Sequence, residues 1–336
     1  MNQEDVCDVT IVGGGPTGCF ALFYAGVRDM KAKLIEALPQ LGGQLTALYP
    51  EKYIFDMPGF PKVLGRDLSK SMEEQALQWG ATVCVSEKAT DLTRLDDIWQ
   101  ITTDKGQHFT KCIVLCSGVG AFAPRRLGIE EVERLEGDVV YYSMPPRAVV
   151  KGKNVVIVGG GDSAVEWAVE LSQGMASSVT LVHRRDSFRA HEDNVHRLEI
   201  SPARVLLSHE VKGLCDHSKA LHCIIAYHNR TMKETLLPCD VLLLGLGFVA
   251  DVGLLKKWGL ELESNDVKVD TFMATNLPGV FAAGDIVTYP GKTKLIAAGT
   301  AEAAVAINSA KVYVDPKARK AAVHSSEDPR FLGGKP

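Results

Sequence analysis

Asp8-Val-Thr-Ile-Val-Gly-Gly-Gly-Pro-Thr-Gly18 runs from a short apolar stretch, Val9 to Val12, straight into a glycine cluster. Gly13, Gly15 and Gly18 fall at G-x-G-x-x-G spacing. The pattern predicts a buried strand, a tight turn and a helix. In such a turn the first glycine permits the backbone path, the second leaves room for a pyrophosphate, and the third lets helix and strand pack closely. The unpaired N–H groups and positive dipole end of the helix then face the phosphates. On that reading Gly13, Gly15, Thr17 and Gly18 line a dinucleotide cradle. A second apolar run, Lys33-Leu-Ile-Glu36, ends on an acid 18 residues after Gly18. A carboxylate there accepts hydrogen bonds from a ribose diol and repels a 2′-phosphate.

The plan then repeats. Lys153-Asn-Val-Val-Ile-Val-Gly-Gly-Gly-Asp-Ser-Ala164 is again strand, glycine turn and helix, now at G-x-G-x-x-A spacing, with Gly159 lying 146 residues after Gly13. Gly159, Gly161, Asp162, Ser163 and Ala164 form the second predicted cradle. Val179 to His183 reads as its second strand, and Cys239 to Gly245 returns as an apolar strand, as Lys111 to Gly118 does in the first copy. Such apolar runs belong in a parallel sheet buried on both faces. Residues 88–110 and 204–230 each suggest short antiparallel strands. The copies differ at the ribose position. The second carries His183-Arg-Arg-Asp-Ser-Phe-Arg189 in place of the acid. Arg184, Arg185 and Arg189 can neutralise a 2′-phosphate and grip it through bidentate hydrogen bonds. The first cradle therefore suits FAD and the second NADPH, with the two dinucleotides held face to face.

After Glu36, within the first copy, Pro39 to Pro61 is too long for a connector and rich in Gly, Pro and aromatics, as functional loops are. Gln44 and Tyr49 are its candidates for a bound ring system, an amide for polar edges and a phenol for a face. Near the end, Thr275 to Asp285 is an apolar strand finishing in Gly-Asp, and Asp285 is placed to bond a ribityl hydroxyl. Leu295 to Val314 reads as an alanine-rich helix. Asp315 to Pro336 is polar, with prolines and glycines, and on composition alone reads as a frayed tail.

At 336 residues, 46% hydrophobic and 23% charged, the chain is long enough for two cored domains. A net charge of −4 without long runs of one sign argues against a nucleic-acid partner. Its longest apolar run, near Val241 to Ala250, is about half the ~18 residues of a membrane span. The first strand begins almost at once, leaving no room for a signal peptide, so a cytoplasmic protein is expected. None of the eight cysteines makes a C-x-x-C pair, and neither a disulfide framework nor a metal site is expected.

Taken together, the Gly-Gly-Gly-Pro-Thr-Gly start, the Gly-Gly-Asp-Ser-Ala turn, the His-Arg-Arg stretch and the Ala-Ala-Gly-Asp end resemble the low-molecular-weight thioredoxin reductase family over nearly the whole chain. In that family a redox C-x-x-C precedes the second nucleotide strand. Here the corresponding segment, Val139-Val-Tyr-Tyr-Ser-Met-Pro-Pro-Arg147, has no cysteine, so dithiol exchange is excluded at this site. A branch lacking the pair, the thioredoxin reductase-like ferredoxin/flavodoxin–NADP⁺ reductases, resembles this chain more closely. Residues 42–54, 118–126, 183–192 and 323–326 carry the likeness. It implies FAD contacts at Glu36, Gln44, Tyr49, Ala89, Phe122, Asp285 and Ser326, a homodimer, and a C-terminal extension whose aromatic residue, here His324, covers the flavin. The tail is then functional rather than frayed.

The implied fold is α/β, with two Rossmann-like three-layer domains: residues 1–119 and 250–336 for FAD, and 120–249 for NADPH. The implied reaction takes a hydride from NADPH to flavin N5 and releases electrons singly to ferredoxin or flavodoxin. It needs no side-chain acid, base or nucleophile; Tyr49 and His324 are flavin-stacking candidates. A hinge near Gly118–Gly120 and Gly245–Gly247 would let the cofactors approach. Lys62, Arg66, Lys70, Arg125 and Arg126 are either docking charges for an acidic carrier or ordinary solvated ones. Other readings on the same fold are an NADPH oxidase or diaphorase, a reductase of another carrier, and a flavoprotein NADPH sensor without turnover.

Overall fold

The computed structural model describes residues 6–118, 123–215, 221–249, 252–320 and 328–332. The chain divides into two compact units, Met1–Ala121 with Ala250–Pro336, and Phe122–Val249.

In the first unit, β1 (Val6–Val12) leads through the glycine turn into α1 (Pro16–Val27) and back as β2 (Ala32–Ile35). Then follow β3 (Thr82–Cys84), β4 (Ala89–Leu95), β5 (Ile98–Thr103) and β6 (Gln107–Leu115). The sheet order is β3-β2-β1-β6-β5-β4, and the strand Val280–Ala282 adds beside β6. The last arm of the predicted meander and the predicted apolar strand are one strand, β6. β6 pairs antiparallel with β5 at its start and parallel with β1 through its length.

Ile11 stands between Leu34 and Val114 in register, all fully buried. Period-2 alternation splits the strands between two cores. Val9, Ile11, Leu34 and Val114 face α1, the helix Gly65–Ala76 and the long helix Ile296–Val314. Val12, Ile35, Ile113 and Leu115 face the other way, toward Trp99, Trp258 and Leu260. Each such side chain contributes roughly 1.5–3 kcal/mol relative to exposure. Small residues let the helices approach: Cys19, Ala21 and Ala25 of α1 share a core with Ala303, Ala306 and Ala310.

The second unit repeats the design. β7 (Asn154–Gly159), α2 (Asp162–Ser172), β8 (Ser178–His183), β9 (Arg204–Leu207), β10 (His209–Leu214), β11 (Cys223–His228), β12 (Glu234–Pro238) and β13 (Val241–Gly245) follow in order. The parallel sheet runs from the short strand Val140–Tyr141 through β13-β7-β8 to β9, with Ile157 between Leu181 and Leu243. β10, β11 and β12 form a separate antiparallel sheet. One expectation is corrected here. Arg204–Leu207 is the outer parallel strand, not part of the antiparallel set. The helix Glu192–Glu199 makes the crossover that a parallel neighbour requires. The chain enters this unit through Ala123–Pro124 and leaves through Phe248–Val249, and the two segments pair antiparallel.

Cys215 and Cys223 form a disulfide across the β10–β11 hairpin, their Cα atoms 5.3 Å apart. The expectation of unpaired thiols is corrected to that extent. Antiparallel pairing puts Leu214 opposite Ile224 and closes a backbone bond from Cys215 N–H to the Cys223 carbonyl, which sequence spacing alone does not reveal. The other six cysteines are free, five of them buried. Thiol titration of the unfolded, non-reduced chain should therefore count six groups, and eight after reduction; eight without reduction would refute the bridge.

Within the tail, the described residues 328–332 are anchored. Arg330 donates to Gly26 and Val27 carbonyls at the end of α1, pairs with Asp328, and lies over the Trp79 ring.

Candidate functional site

The first glycine turn is built as its spacing predicts. Gly13 has φ +108°, and a Cβ there would sit 2.5 Å from the Cys116 carbonyl at the end of β6. A Cβ on Gly18 would collide with the Gly13 carbonyl. Gly15 is different. Its backbone, φ −70° and ψ −176°, suits any residue, and a Cβ would meet nothing nearer than Gly43 Cα at 3.9 Å. Nothing among the described residues requires glycine at that point, and the absence of a side chain leaves the mouth of the turn clear. Gly15 caps α1 with Pro16 behind it and no side-chain cap, so the first-turn N–H groups stay open.

Glu36, 7% exposed, ends β2 beneath this turn. Its two oxygens accept from Gly14 N–H at 2.5 Å and Leu38 N–H at 2.7 Å. Burial pushes the carboxyl up against these opposing bonds. Gln44 opens a short helix, Gln44–Ala47, and its amide nitrogen would stand 3.8 Å from a Cβ on Gly118, just past the end of β6. Tyr49 is half-buried, and burial, then the charges of Asp285 and Asp56, push its phenol up to about 12. It is a neutral donor at physiological pH. Asp285 is half-buried and has no hydrogen-bond or ion-pair partner among the described residues. Ala89 begins β4, 7% exposed. Thr17 ties these pieces together, because a Cβ on Gly284 would come within 2.7 Å of its hydroxyl and one on Gly299 would collide with it. The starts of two helices and the Gly284–Asp285 strand end therefore converge beside the turn. Phe122, His324 and Ser326 lie outside the described residues.

The second turn copies the first. A Cβ on Gly159 would lie 2.5 Å from the Gly245 carbonyl at the end of β13, and 2.7 Å from the Ala164 Cβ. Gly161, with φ −98° and ψ 177°, faces open space, with nothing within 4 Å of a Cβ. Asp162 is exposed and accepts from His191 N–H and Asn194 Nδ2, both at 2.8 Å, while Ser163 is exposed beside it. Arg184, Arg185 and Arg189 are exposed, and no carboxylate pairs with them among the described residues. Arg189 N–H bonds the Gly160 carbonyl at 2.8 Å, bringing the arginine loop to the glycine turn. Asp186, the loop's own acid, is occupied by Arg230 at 3.0 Å.

His183 is placed differently from its basic neighbours. Its ring is 7% exposed, stacks on Phe188 at 5.3 Å, bonds the Ser187 carbonyl through Nε2 at 3.0 Å, and fills the space a side chain at Gly160 would need. Burial lowers its basicity, and the three arginines add to that. It braces the loop from inside.

Sequence reading missed Glu302, a buried acid on the helix Ile296–Val314 that bonds Gly284 N–H. The available signal was a single carboxylate in an alanine-rich helix. Reading also missed a cluster of Cys84, Glu87 and His108, whose ligating atoms lie within 4.8 Å of one another. Glu87 accepts from Thr103 Oγ1 at 2.6 Å and lies 2.7 Å from His108 Nε2, while Lys33 Nζ sits 3.1 Å from His108 Nδ1. Burial raises the Glu87 carboxyl, but these bonds outweigh it and leave it below its ordinary value. An ammonium on the imidazole and a filled carboxylate make this a closed polar network. Of the basic candidates for docking, Arg66 pairs with Glu51, Arg126 pairs with Glu136 at 2.7 Å, and Lys62 lies over Tyr53.

Each unit thus carries a strand, glycine turn and helix built on the same plan. The chain belongs to the pyridine nucleotide-disulphide oxidoreductase family, whose profile matches residues 7–310. Within it the chain groups with the ferredoxin–NADP reductases. It is 46% identical to the ferredoxin–NADP reductase of Halalkalibacterium halodurans, over 96% of this chain and 98% of that one. It is 45% identical to ferredoxin–NADP reductase 2 of Chloroherpeton thalassium, over 97% and 96%. Among solved structures, Lactococcus lactis thioredoxin reductase in its FR conformation superposes with a TM-score of 0.77 at 26% identity, over 92% of this chain and 99% of that one. The thioredoxin reductase of T. acidophilum, at 23% identity and TM-score 0.77 over 94% and 100%, shares the fold. The expected family and fold are both borne out.

Proposed function

We propose that this chain is an FAD-dependent enzyme that moves electrons from NADPH to ferredoxin or flavodoxin, as a cytoplasmic homodimer. The observation that carries the reading is the pair of glycines, Gly15 and Gly161, where a Cβ would meet no described atom closer than 3.9 Å and the backbone itself needs no glycine. One cradle ends in an acid, Glu36, and the other in arginines unpaired among the described residues, which supports FAD in the first and NADPH in the second. Bound FAD supplies the conversion of a two-electron hydride into single electrons. The residues fit that group: Gly15 and the start of α1 would hold the pyrophosphate, Glu36 the ribose, Asp285 the ribityl chain, and Gln44 and Tyr49 the ring system. Their work is binding and orientation. Tyr49 stays a neutral donor, so it brings no charge to the ring.

Thiol chemistry at the first turn is a poor fit. Cys19, near the first turn, is pushed up to about 12 by burial, and burial raises Cys112 and Cys116 as well. Such thiols do not supply the thiolate that disulfide exchange requires. With NADPH and ferredoxin, the purified protein should reduce cytochrome c through the carrier and leave thioredoxin disulfide untouched. Turnover of thioredoxin, or none with either carrier, would overturn the assignment.

A further inference from the structure

Glu302 is the most conspicuous buried charge in the first unit that the reaction does not itself use. It is 5% exposed, and its side chain accepts four hydrogen bonds. Lys292 Nζ lies 2.6 Å from Oε1 and 2.8 Å from Oε2, the Tyr289 hydroxyl donates to Oε1 at 2.6 Å, and Gly284 N–H donates to Oε2 at 2.8 Å. Lys292 is as deeply placed, with its side chain 6% exposed. A buried ion pair repays its desolvation only when its geometry is good and its remaining valences are filled. Here they are filled, and one of them goes to the backbone of the turn that presents Asp285. The Tyr289 phenol, raised to about 12 by its bond to Glu302, remains a donor throughout the working pH range.

Gly284 is held from two sides. Thr17, at the start of α1, presses on one side, and Glu302 bonds its N–H from the helix Ile296–Val314. Gly284 has φ +86°, a conformation few side chains adopt, so this turn is strongly specified. The next residue, Asp285, carries the half-buried carboxylate with no described partner. A carboxylate meant for a ligand must be aimed before the ligand arrives, and second-shell bonds do the aiming.

We propose that Glu302, with Lys292 as its counter-ion and Tyr289 as its second donor, is a positioning residue that locks the Gly284–Asp285 turn against α1 and so sets the affinity for FAD. The inference rests on the assignment of FAD to the first cradle. Glu302 itself touches no reacting atom.

The test is FAD affinity of apoprotein, read by fluorescence quenching, for the wild type, Glu302→Ala and Glu302→Gln. Glu302→Ala removes both the acceptor for Gly284 N–H and the charge facing Lys292; FAD binding should weaken at least about tenfold, and the visible spectrum of bound flavin should shift. Glu302→Gln keeps an amide oxygen for Gly284 and loses the charge, so it should fall between. Thermal unfolding of each apoprotein separates affinity from folding, and Glu302→Gln decides the matter if Glu302→Ala does not fold. Wild type binding FAD tightly, with both variants within twofold of it and unchanged spectra, would overturn this proposal alone. Wild type that takes up no FAD would overturn the functional assignment as well.

Discussion

Gly161→Val yields a folded protein that retains FAD and has lost most of its use of NADPH. The substituted residue has no backbone strain to resist, because φ −98° and ψ 177° suit valine, and a Cβ meets no protein atom within 4 Å. The new side chain occupies the space where a pyrophosphate would approach the start of α2. Such a blockade should raise KM for NADPH on the order of a hundredfold, about 2.7 kcal/mol of lost binding. Melting temperature and flavin content should stay near wild type. Steady-state kinetics with NADPH as the varied substrate, alongside a thermal melt, check both halves. Unchanged KM in a stable protein would mean that the second turn holds no dinucleotide. Gly159 is the contrasting position: its Cβ would strike the Gly245 carbonyl, so substitution there damages the fold and cannot isolate binding.

Arg184→Ala with Arg185→Ala is expected to raise KM for NADPH at least about tenfold, on the order of 1.4 kcal/mol, and to leave NADH little changed. The reason is charge selectivity. Both guanidinium groups are exposed and uncompensated among the described residues, while the loop's acid is held by Arg230. A 2′-phosphate would be the counter-charge they lack, and NADH does not carry it. Equal losses for both coenzymes would remove the phosphate from the account.

The fold was legible because its decisive residues obey local rules. Gly13 and Gly18 each have a separate steric reason for being glycine, and the apolar runs around Ile11 and Ile157 are buried on both faces, as continuous hydrophobicity demands. The sequence also displayed the chemical asymmetry of Glu36 against Arg184 and Arg185. What remained hidden depends on contacts distant along the chain. Arg204–Leu207 joins the parallel sheet only because a helix carries it there. Cys215 meets Cys223 through hairpin register. His183 sits within the same basic run as the arginines, yet its ring turns inward to fill the hollow under Gly160. Glu302 looks like one charge on an alanine-rich helix until Lys292, Tyr289 and Gly284 are brought to it by folding.

The two segments by which the chain enters and leaves the second unit lie side by side, Pro124 opposite Phe248 and Ala123 opposite Val249. Antiparallel neighbours stand about 5 Å apart at Cα, a gap that a tight two-residue turn spans. Topologically, this unit is a single insertion in the chain of the other. A cut through these two strands leaves ends that a tight turn can rejoin.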